Sequence, residues 1–295
     1  MRVKNIIFDL MSIIPDKTFI RIAYYIRMKR KLNISNPVTY NEKIQWLKLY
    51  DRKKIYTTMV DKDAVKKYVA DIIGEKYLIP TLGVYNSFDE IDFEQLPNKF
   101  VIKCTHDSAG SVICEDKKNL DIKNAKKKIN NSLSHNYYLN AREWPYKNVP
   151  HKIIIEKYME DKTDGELRDY KFFCFNGKVH LMFIASNRQG EGDTYFDFYD
   201  TKFNHLELKH GHPNAPNPPH KPLKFDEMIE LSEKLSKGIP HVRIDFYEVN
   251  GNVFFCEMTF YHHSGSVPFV PESWDIELGK LIELPSLKNK ENKKR

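Results

Sequence analysis

The chain has no apolar run of the roughly 20 residues that a bilayer-spanning helix requires. Its N-terminus also lacks the basic, apolar, small-residue order of a secretory signal. Cysteine is scarce, with four residues in 295 and no C-x-x-C pair. Cys104, Cys114, Cys174 and Cys256 each sit in an apolar, strand-like stretch. They read as buried thiols of a reducing compartment, not as disulfides or zinc ligands. No Cys/His zinc spacing is present, nor a G-x-S-x-G elbow, nor a G-x-x-x-x-G-K-[ST] loop. Hydrolytic nucleophile chemistry and P-loop chemistry therefore have no anchor. A large charge excess is missing too. The net charge is +7, but the tail 288–295 carries five cations and one acid, or +4, which leaves only about +3 on the body. That is too little to mark a nucleic-acid binder.

What remains is a globular composition, 41% hydrophobic and 29% charged, in a chain long enough to divide into lobes. Its most informative stretch is Val242-Arg-Ile-Asp-Phe-Tyr-Glu-Val-Asn-Gly-Asn-Val-Phe-Phe-Cys-Glu-Met-Thr-Phe260. Two strands meet at Asn250-Gly251. One face carries Val242, Ile244 and Phe246, then Phe254, Cys256, Met258 and Phe260. The other carries Arg243 and Asp245, then Glu257 and Thr259. A plain two-residue turn would oppose apolar to polar residues along the ribbon, because opposed residues share a face. Matching the faces demands an odd loop or a bulge near the turn. Asp245 and Glu257 then share one face, as two carboxylates holding a divalent metal must. A surface hairpin with its charges in water is the competing reading.

Elsewhere, Thr39-Tyr-Asn-Glu42 opens a helix as a capping box, 61–73 is helical up to Gly74, and Asp121 caps a helix with the stripe Ile122, Ala125, Ile129 and Leu133. Strands are expected over 100–104, 111–114 and 152–158, and a hairpin over 170–184 turning at Asn176-Gly177. The proline-rich stretch 211–222 is a loop, and 225–237 is a helix stopped by Gly238 and Pro240. Residues 4–31 suggest two helices broken at Pro15, which either pack on the domain or lie in a membrane interface.

Several polar groups stand at strand ends. Lys103 precedes Thr105-His-Asp-Ser-Ala-Gly-Ser111, a small polar loop whose N–H groups and hydroxyls suit phosphate oxygens. Glu156 closes the run Ile153-Ile-Ile. Lys171 begins a strand and Arg188 follows its partner. His262 and His263 are adjacent; in an extended segment they would point opposite ways, so both serving one site is not expected.

In this order the pieces resemble the ATP-grasp superfamily, and most closely its TupA-like branch of capsule and surface-polysaccharide gene sets. The resemblance covers about residues 35–285. It rests on Tyr40-Asn-Glu-Lys-Ile-Gln-Trp46, Asp61-Lys62, Leu96-Pro-Asn-Lys-Phe-Val-Ile-Lys103, His106-Asp-Ser-Ala-Gly110, Asp169-Tyr-Lys-Phe-Phe-Cys-Phe-Asn-Gly177, Val242-Arg-Ile-Asp-Phe-Tyr247 and Glu257-Met-Thr-Phe260. It implies an α+β ATP-grasp fold with two α+β lobes gripping ATP. The implied divisions are a helical segment 1–35, a region 36–98, a small lobe 99–158, a large lobe 159–287 and a basic tail 288–295.

The resemblance also implies site roles. Lys103, His106, Ser108, Gly110 and Ser111 belong to the phosphate loop and the lysine before it. Glu156, Lys157 and Tyr158 form the hinge holding adenine and ribose. Lys171 is a second nucleotide-side cation, Arg188 steadies the transferred phosphate, and Arg243 joins them among the catalytic residues. Asp245 and Glu257 hold Mg2+, with Thr259 where the superfamily usually has an asparagine ligand. The implied reaction is ATP-dependent ligation of a carboxylate to an amine through an acylphosphate, with a glycan or glycan precursor and a small amine or amino acid as substrates. The expected location is cytoplasmic, with peripheral membrane contact through 4–31 or 288–295 as an added reading. The rivals are a glycosyltransferase using Asp61-Lys-Asp63, a kinase-like transfer to a hydroxyl, and a non-enzymatic scaffold.

Overall fold

The computed structural model describes residues 13–108, 110–162, 166–188, 190 and 192–286. The expected first helix within 4–14 and the basic tail 288–295 fall largely or wholly outside them. Helix Asp16–Met28 starts directly after Pro15 and buries Ile20 and Tyr24. Helix Tyr40–Tyr50 opens with the capping box: Thr39 Oγ1 accepts from Glu42 N–H at 3.3 Å, and the Glu42 carboxylate accepts from Thr39 N–H. The 61–73 stretch becomes helical only from Ala64. Helix Ile55–Val60 ends at Asp61, and helix Ala64–Ile73 follows.

The strands run, in chain order, β1 Thr81–Tyr85, β2 Phe100–Cys104, β3 Val112–Cys114, β4 Ile153–Lys157, β5 Asp169–Phe175, β6 Lys178–Ser186, β7 Tyr195–Asp200, β8 Lys209–His210, β9 His241–Val249, β10 Asn252–Thr259 and β11 Phe269–Val270. They form a four-stranded sheet, β1-β4-β2-β3, a five-stranded sheet, β10-β9-β5-β6-β7, and the pair β11-β8. All pairings within the sheets are antiparallel. The proline-rich stretch 211–222 carries no strand or helix, as its prolines require.

Each sheet has its own core. Phe100, Ile102, Cys104, Ile153 and Ile155 meet Ala125 and Ile129 of helix Ile122–Leu133, whose N-cap Asp121 accepts from Asn124 N–H at 2.9 Å. The large sheet is backed by helix Phe225–Ser236 through Met228, Leu231 and Leu235. The 36–98 stretch is not a unit of its own. Tyr40, Ile44 and Trp46 join the large core, while Phe88, Ile91 and Leu96 join the small one. A third cluster, Ile79, Met159 and Val249 flanked by Leu167, Tyr247 and Phe254, lies where the sheets meet. The order of helices, strands and hairpins is thus two α+β lobes joined along a seam.

Candidate functional site

The β9–β10 hairpin makes a two-residue turn and a bulge together. Asn250 and Gly251 take φ of 49° and 73°, the left-handed pair of a type I′ turn, and Val249 pairs with Asn252. The register then shifts between Phe255 and Glu257, leaving Cys256 as the extra residue. Parity required this shift, but its place is five residues from the turn. The bulge also corrects one face assignment. Before it, Val253 and Phe255 enter the core, and Phe254 and Cys256 are only partly buried; after it, Met258 and Phe260 are the buried pair. Cys256 is therefore the one cysteine of the four that is not fully buried.

Beyond the bulge Glu257 stands opposite Asp245, Asp245 opposite Lys171 on β5, and Thr259 opposite Arg243. The side chains close into a network. Arg243 Nε and Nη2 each donate to Asp245 at 2.7 Å, and Nη2 also reaches Thr259 Oγ1 at 3.0 Å and Glu257 Oε1 at 3.3 Å. Lys171 Nζ donates to Asp245 Oδ2 at 2.5 Å and to Asp169 Oδ1 at 3.0 Å, while Arg188 donates to Asp169 Oδ2. Burial alone would push the Asp245 carboxyl up. The Arg243 and Lys171 charges outweigh it and hold the group at about 2. Burial likewise disfavours the Lys171 ammonium, and Asp169 and Asp245 reverse that and raise it. Three carboxylates and three cations leave this cluster neutral. Its most open carboxylate is Glu257, whose side chain is 34% exposed.

The small sheet faces it with a different balance. Glu156 is clamped between Lys103 Nζ at 2.7 Å and Lys66 Nζ at 2.5 Å. Burial would raise the Glu156 carboxyl, but these two lysines bring it below its ordinary value. Lys62 donates from Nζ to the Asp107 carbonyl and from its backbone N–H to Thr105 O at 3.1 Å, so it holds the 105–111 loop from below. Lys157 lies on the rim, its N–H bound to Pro80 O at 3.0 Å. Four lysines against one glutamate leave this side positive.

Beside the small-sheet cluster lies a cleft of ≈ 260 Å³, which Arg188 lines and Lys171, Arg243, Asp245, Glu257 and Thr259 do not. Ile79, Val101, Ile113, Met159 and Leu167 supply apolar walls. Lys103, Ser111, Glu156, Lys157, Tyr158, Arg188 and Tyr247 supply the polar positions. Apolar walls with a few converging charges are the usual form of a small-molecule site. Alternation along β2 explains the lining: Phe100, Ile102 and Cys104 point into the core, so Val101 and Lys103 point out.

Not every expected residue reaches the cleft. The His106 ring is buried beneath the loop, with Nε2 donating to the Ser132 and His135 carbonyls at 3.2 and 3.1 Å and its face stacked on His151. The structure thus corrects its assignment as a nucleotide-contacting side chain; it anchors the loop. Ser108 donates to the Tyr137 hydroxyl at 3.0 Å. Gly110 packs against Ser132, where an added Cβ would come within 2.5 Å of Oγ. Ser111 and Tyr158 do line the cleft, Tyr158 donating to Glu115 at 3.2 Å. Asp61 does not pair with Asp63 as metal ligands would, because its Oδ1 accepts from Asp63 N–H and Ala64 N–H at the start of the helix. Sequence reasoning gave no role to Lys62, Lys66 or Asp169. Lys62 stood in a branch phrase, and Asp169 shares parity with Lys171; Lys66 carried no signal.

A family model described as TupA-like ATPgrasp matches residues 42–283. No curated protein matches the chain. Among solved structures it is similar to the D-alanine–D-alanine ligase from Bacillus anthracis, at 16% identity, over 68% of this chain and 57% of that one, with a TM-score of 0.40. It is similar to the ATP-grasp ligase PsnB complexed with minimal precursor, at 11% identity, over 71% and 55%, with a TM-score of 0.42. It is also similar to N5-carboxyaminoimidazole synthetase from Staphylococcus aureus, at 14% identity, over 77% and 53%, with a TM-score of 0.41. The chain spans a little over half the length of these proteins.

Proposed function

The chain belongs to the TupA-like ATP-grasp family, and from that premise we propose that it is an ATP- and Mg2+-dependent carboxylate–amine ligase acting on a surface-glycan precursor. The observation that carries the reading is the bulged hairpin, which sets Glu257 and Asp245 side by side on a face that also holds Lys171 and Arg243. The donor set fits magnesium: it is all oxygen, with two carboxylates and the Thr259 hydroxyl, and Glu257 is partly open. Asp245, Glu257 and Thr259 would hold the ion, which would neutralise phosphate charge.

The chain's own residues do the rest. Val101, Ile113, Met159 and Leu167 sandwich a flat base, and the lysine-rich side takes the polyphosphate. Lys171 and Arg188 are placed to turn from Asp245 and Asp169 toward the transferred phosphate, which removes one of the two hydrogen bonds on Asp245 Oδ2 and leaves that of Arg243 Nη2. An acceptor carboxylate oxygen attacks the γ-phosphorus and the bond to the β–γ bridging oxygen breaks, releasing ADP. An amine then attacks the acyl carbon, phosphate leaves, and the amine loses its proton. The surface-glycan setting, with a uronic acid or amino sugar as one partner, is supported by the branch resemblance. Among the described residues no helix is long and apolar enough to cross a membrane. Helix Asp16–Met28 exposes Ile22, Tyr25 and Ile26 beside Arg21 and Arg27, which supports peripheral contact with an anionic bilayer.

The test is hydroxylamine trapping with ATP, Mg2+ and uronic-acid oligosaccharides or amino acids as acceptors. Hydroxamate formed in step with ADP supports the ligase. ADP with a stable phosphorylated hydroxyl product points to kinase-like transfer. Sugar transfer from a nucleotide sugar without ADP release points to a glycosyltransferase.

A further inference from the structure

Behind the carboxylate row, three imidazoles converge. His210 ends β8, and His262 and His263 sit in the 3-10 turn His262–Gly265. Their ring centroids are 5.0 Å (His210–His262), 4.9 Å (His210–His263) and 4.2 Å (His262–His263) apart. One ligand nitrogen from each lies within 4.8 Å of the others. His210 is 0% and His262 2% exposed. Each ring keeps a buried nitrogen without a hydrogen-bond partner: His210 Nδ1, His262 Nε2 and His263 Nε2. A buried polar atom left unpaired is costly, so three in one cluster point to a ligand that bridges them.

The backbone is shaped to allow this. His263 and Ser264 take φ of 47° and 56°, which is how two adjacent side chains come to face the same way. The expectation that His262 and His263 diverge presumed an extended segment, and it fails here. Gly211 has φ of 81°, and a Cβ there would come within 2.6 Å of His263 Nε2. His210 Nε2 donates to Val267 O at 3.0 Å, which fixes its proton and leaves Nδ1 as a lone pair.

We propose that His210, His262 and His263 bind a divalent transition metal of the zinc type, at a site separate from the magnesium carboxylates. An all-nitrogen set suits zinc and not magnesium. Three protein ligands leave one tetrahedral position for water or a substrate oxygen. Burial holds His210 at about 3 and His263 at about 4, so these rings are neutral and ready to ligate at working pH.

Arginine only donates, so in the metal-free chain His262 Nδ1 accepts from Arg243 Nη1 at 2.5 Å and Nε2 carries the hydrogen. A metal on Nε2 requires that hydrogen on Nδ1, with no net gain or loss of protons. Nη1 then withdraws, while Nε and Nη2 keep Asp245. Ligands ~2.1 Å from one zinc stand ~3.4 Å apart at the tetrahedral angle, so the rings also draw together by about 1 Å. The rival occupant is a single buried water, which would donate to His210 and His263 and accept from His262.

The experiment uses the full chain, stripped with chelator and held in excess Mg2+. It is titrated with Zn2+ by calorimetry and with Co2+ by visible absorption. The expected result is one metal per chain with a tetrahedral cobalt spectrum, at least tenfold weaker in His263→Ala and in Gly211→Ala, which keeps all three ligands. Unchanged circular dichroism shows that both variants are folded. Absence of stoichiometric binding overturns the site in favour of the water, and equal binding by both variants places any metal elsewhere. Neither outcome bears on ATP binding.

Discussion

The two charged clusters, one on each sheet, differ in kind. The large-sheet cluster is balanced and closed: Asp169, Asp245 and Glu257 against Lys171, Arg188 and Arg243, with Asp245 wholly buried. The small-sheet cluster is unbalanced: Lys66 and Lys103 share the carboxylate of Glu156, and Lys62 and Lys157 stand beside it. A balanced cluster can exchange partners without a large electrostatic cost, as one that trades a lysine for a metal ion must. An unbalanced one attracts an anion before any ligand contact forms. The sides therefore divide the work. On the proposed ligase reading, one would hold charge steady at the reacting end, and the other would draw in the polyphosphate.

The largest effect should follow from opening the balanced side. Asp245→Asn with Glu257→Gln is expected to lower ATP turnover by at least about 10²-fold, measured as ADP release. Leaving Arg243 and Lys171 underpaired should also cost about 3–5 kcal/mol in urea unfolding. Next comes the unbalanced side. Lys103→Ala is expected to weaken ATP binding about tenfold, and Lys66→Ala by less, because Lys66 does not line the cleft and touches it through Glu156 and the Ile79 carbonyl. Titration calorimetry separates the two.

A smaller effect is the response to acid. Asp245 is depressed to about 2 in the folded chain, against about 3.9 when unfolded. Its contribution, about 3 kcal/mol, is present above pH 4 and is lost as the pH falls toward 2. Glu156, also depressed, acts in the same direction. Urea midpoints should fall across that window in the wild type and less steeply in Asp245→Asn. The smallest effect lies outside both clusters. Ile22→Asp with Ile26→Asp should abolish sedimentation with anionic vesicles, leaving ADP release unchanged. Equal sedimentation would remove the membrane reading.

Much of this was legible because burial imposes alternation. In β2 and β9 every second residue is apolar, so strand and face could be read together. The parity mismatch at Asn250-Gly251 demanded a bulge, but nothing local placed it at Cys256. The same device recurs unannounced in β5–β6, where Asn176 and Gly177 turn with φ of 49° and 82° and the register shifts beyond Cys174. The edge strand β1 escaped notice because none of its five residues is buried, so it carries no alternation. Lys66 and His210 escaped for another reason. Each is joined to its site by tertiary packing across 90 residues (Lys66 to Glu156) or 52 (His210 to His262), and spacing holds no trace of that.

The most direct measurement is calorimetric titration of the wild type and of Asp245→Asn/Glu257→Gln with ATP and with nucleotide sugars, each with and without Mg2+. The structure predicts ATP binding that requires Mg2+ and disappears in the double variant. Binding of a nucleotide sugar with no response to ATP would contradict it.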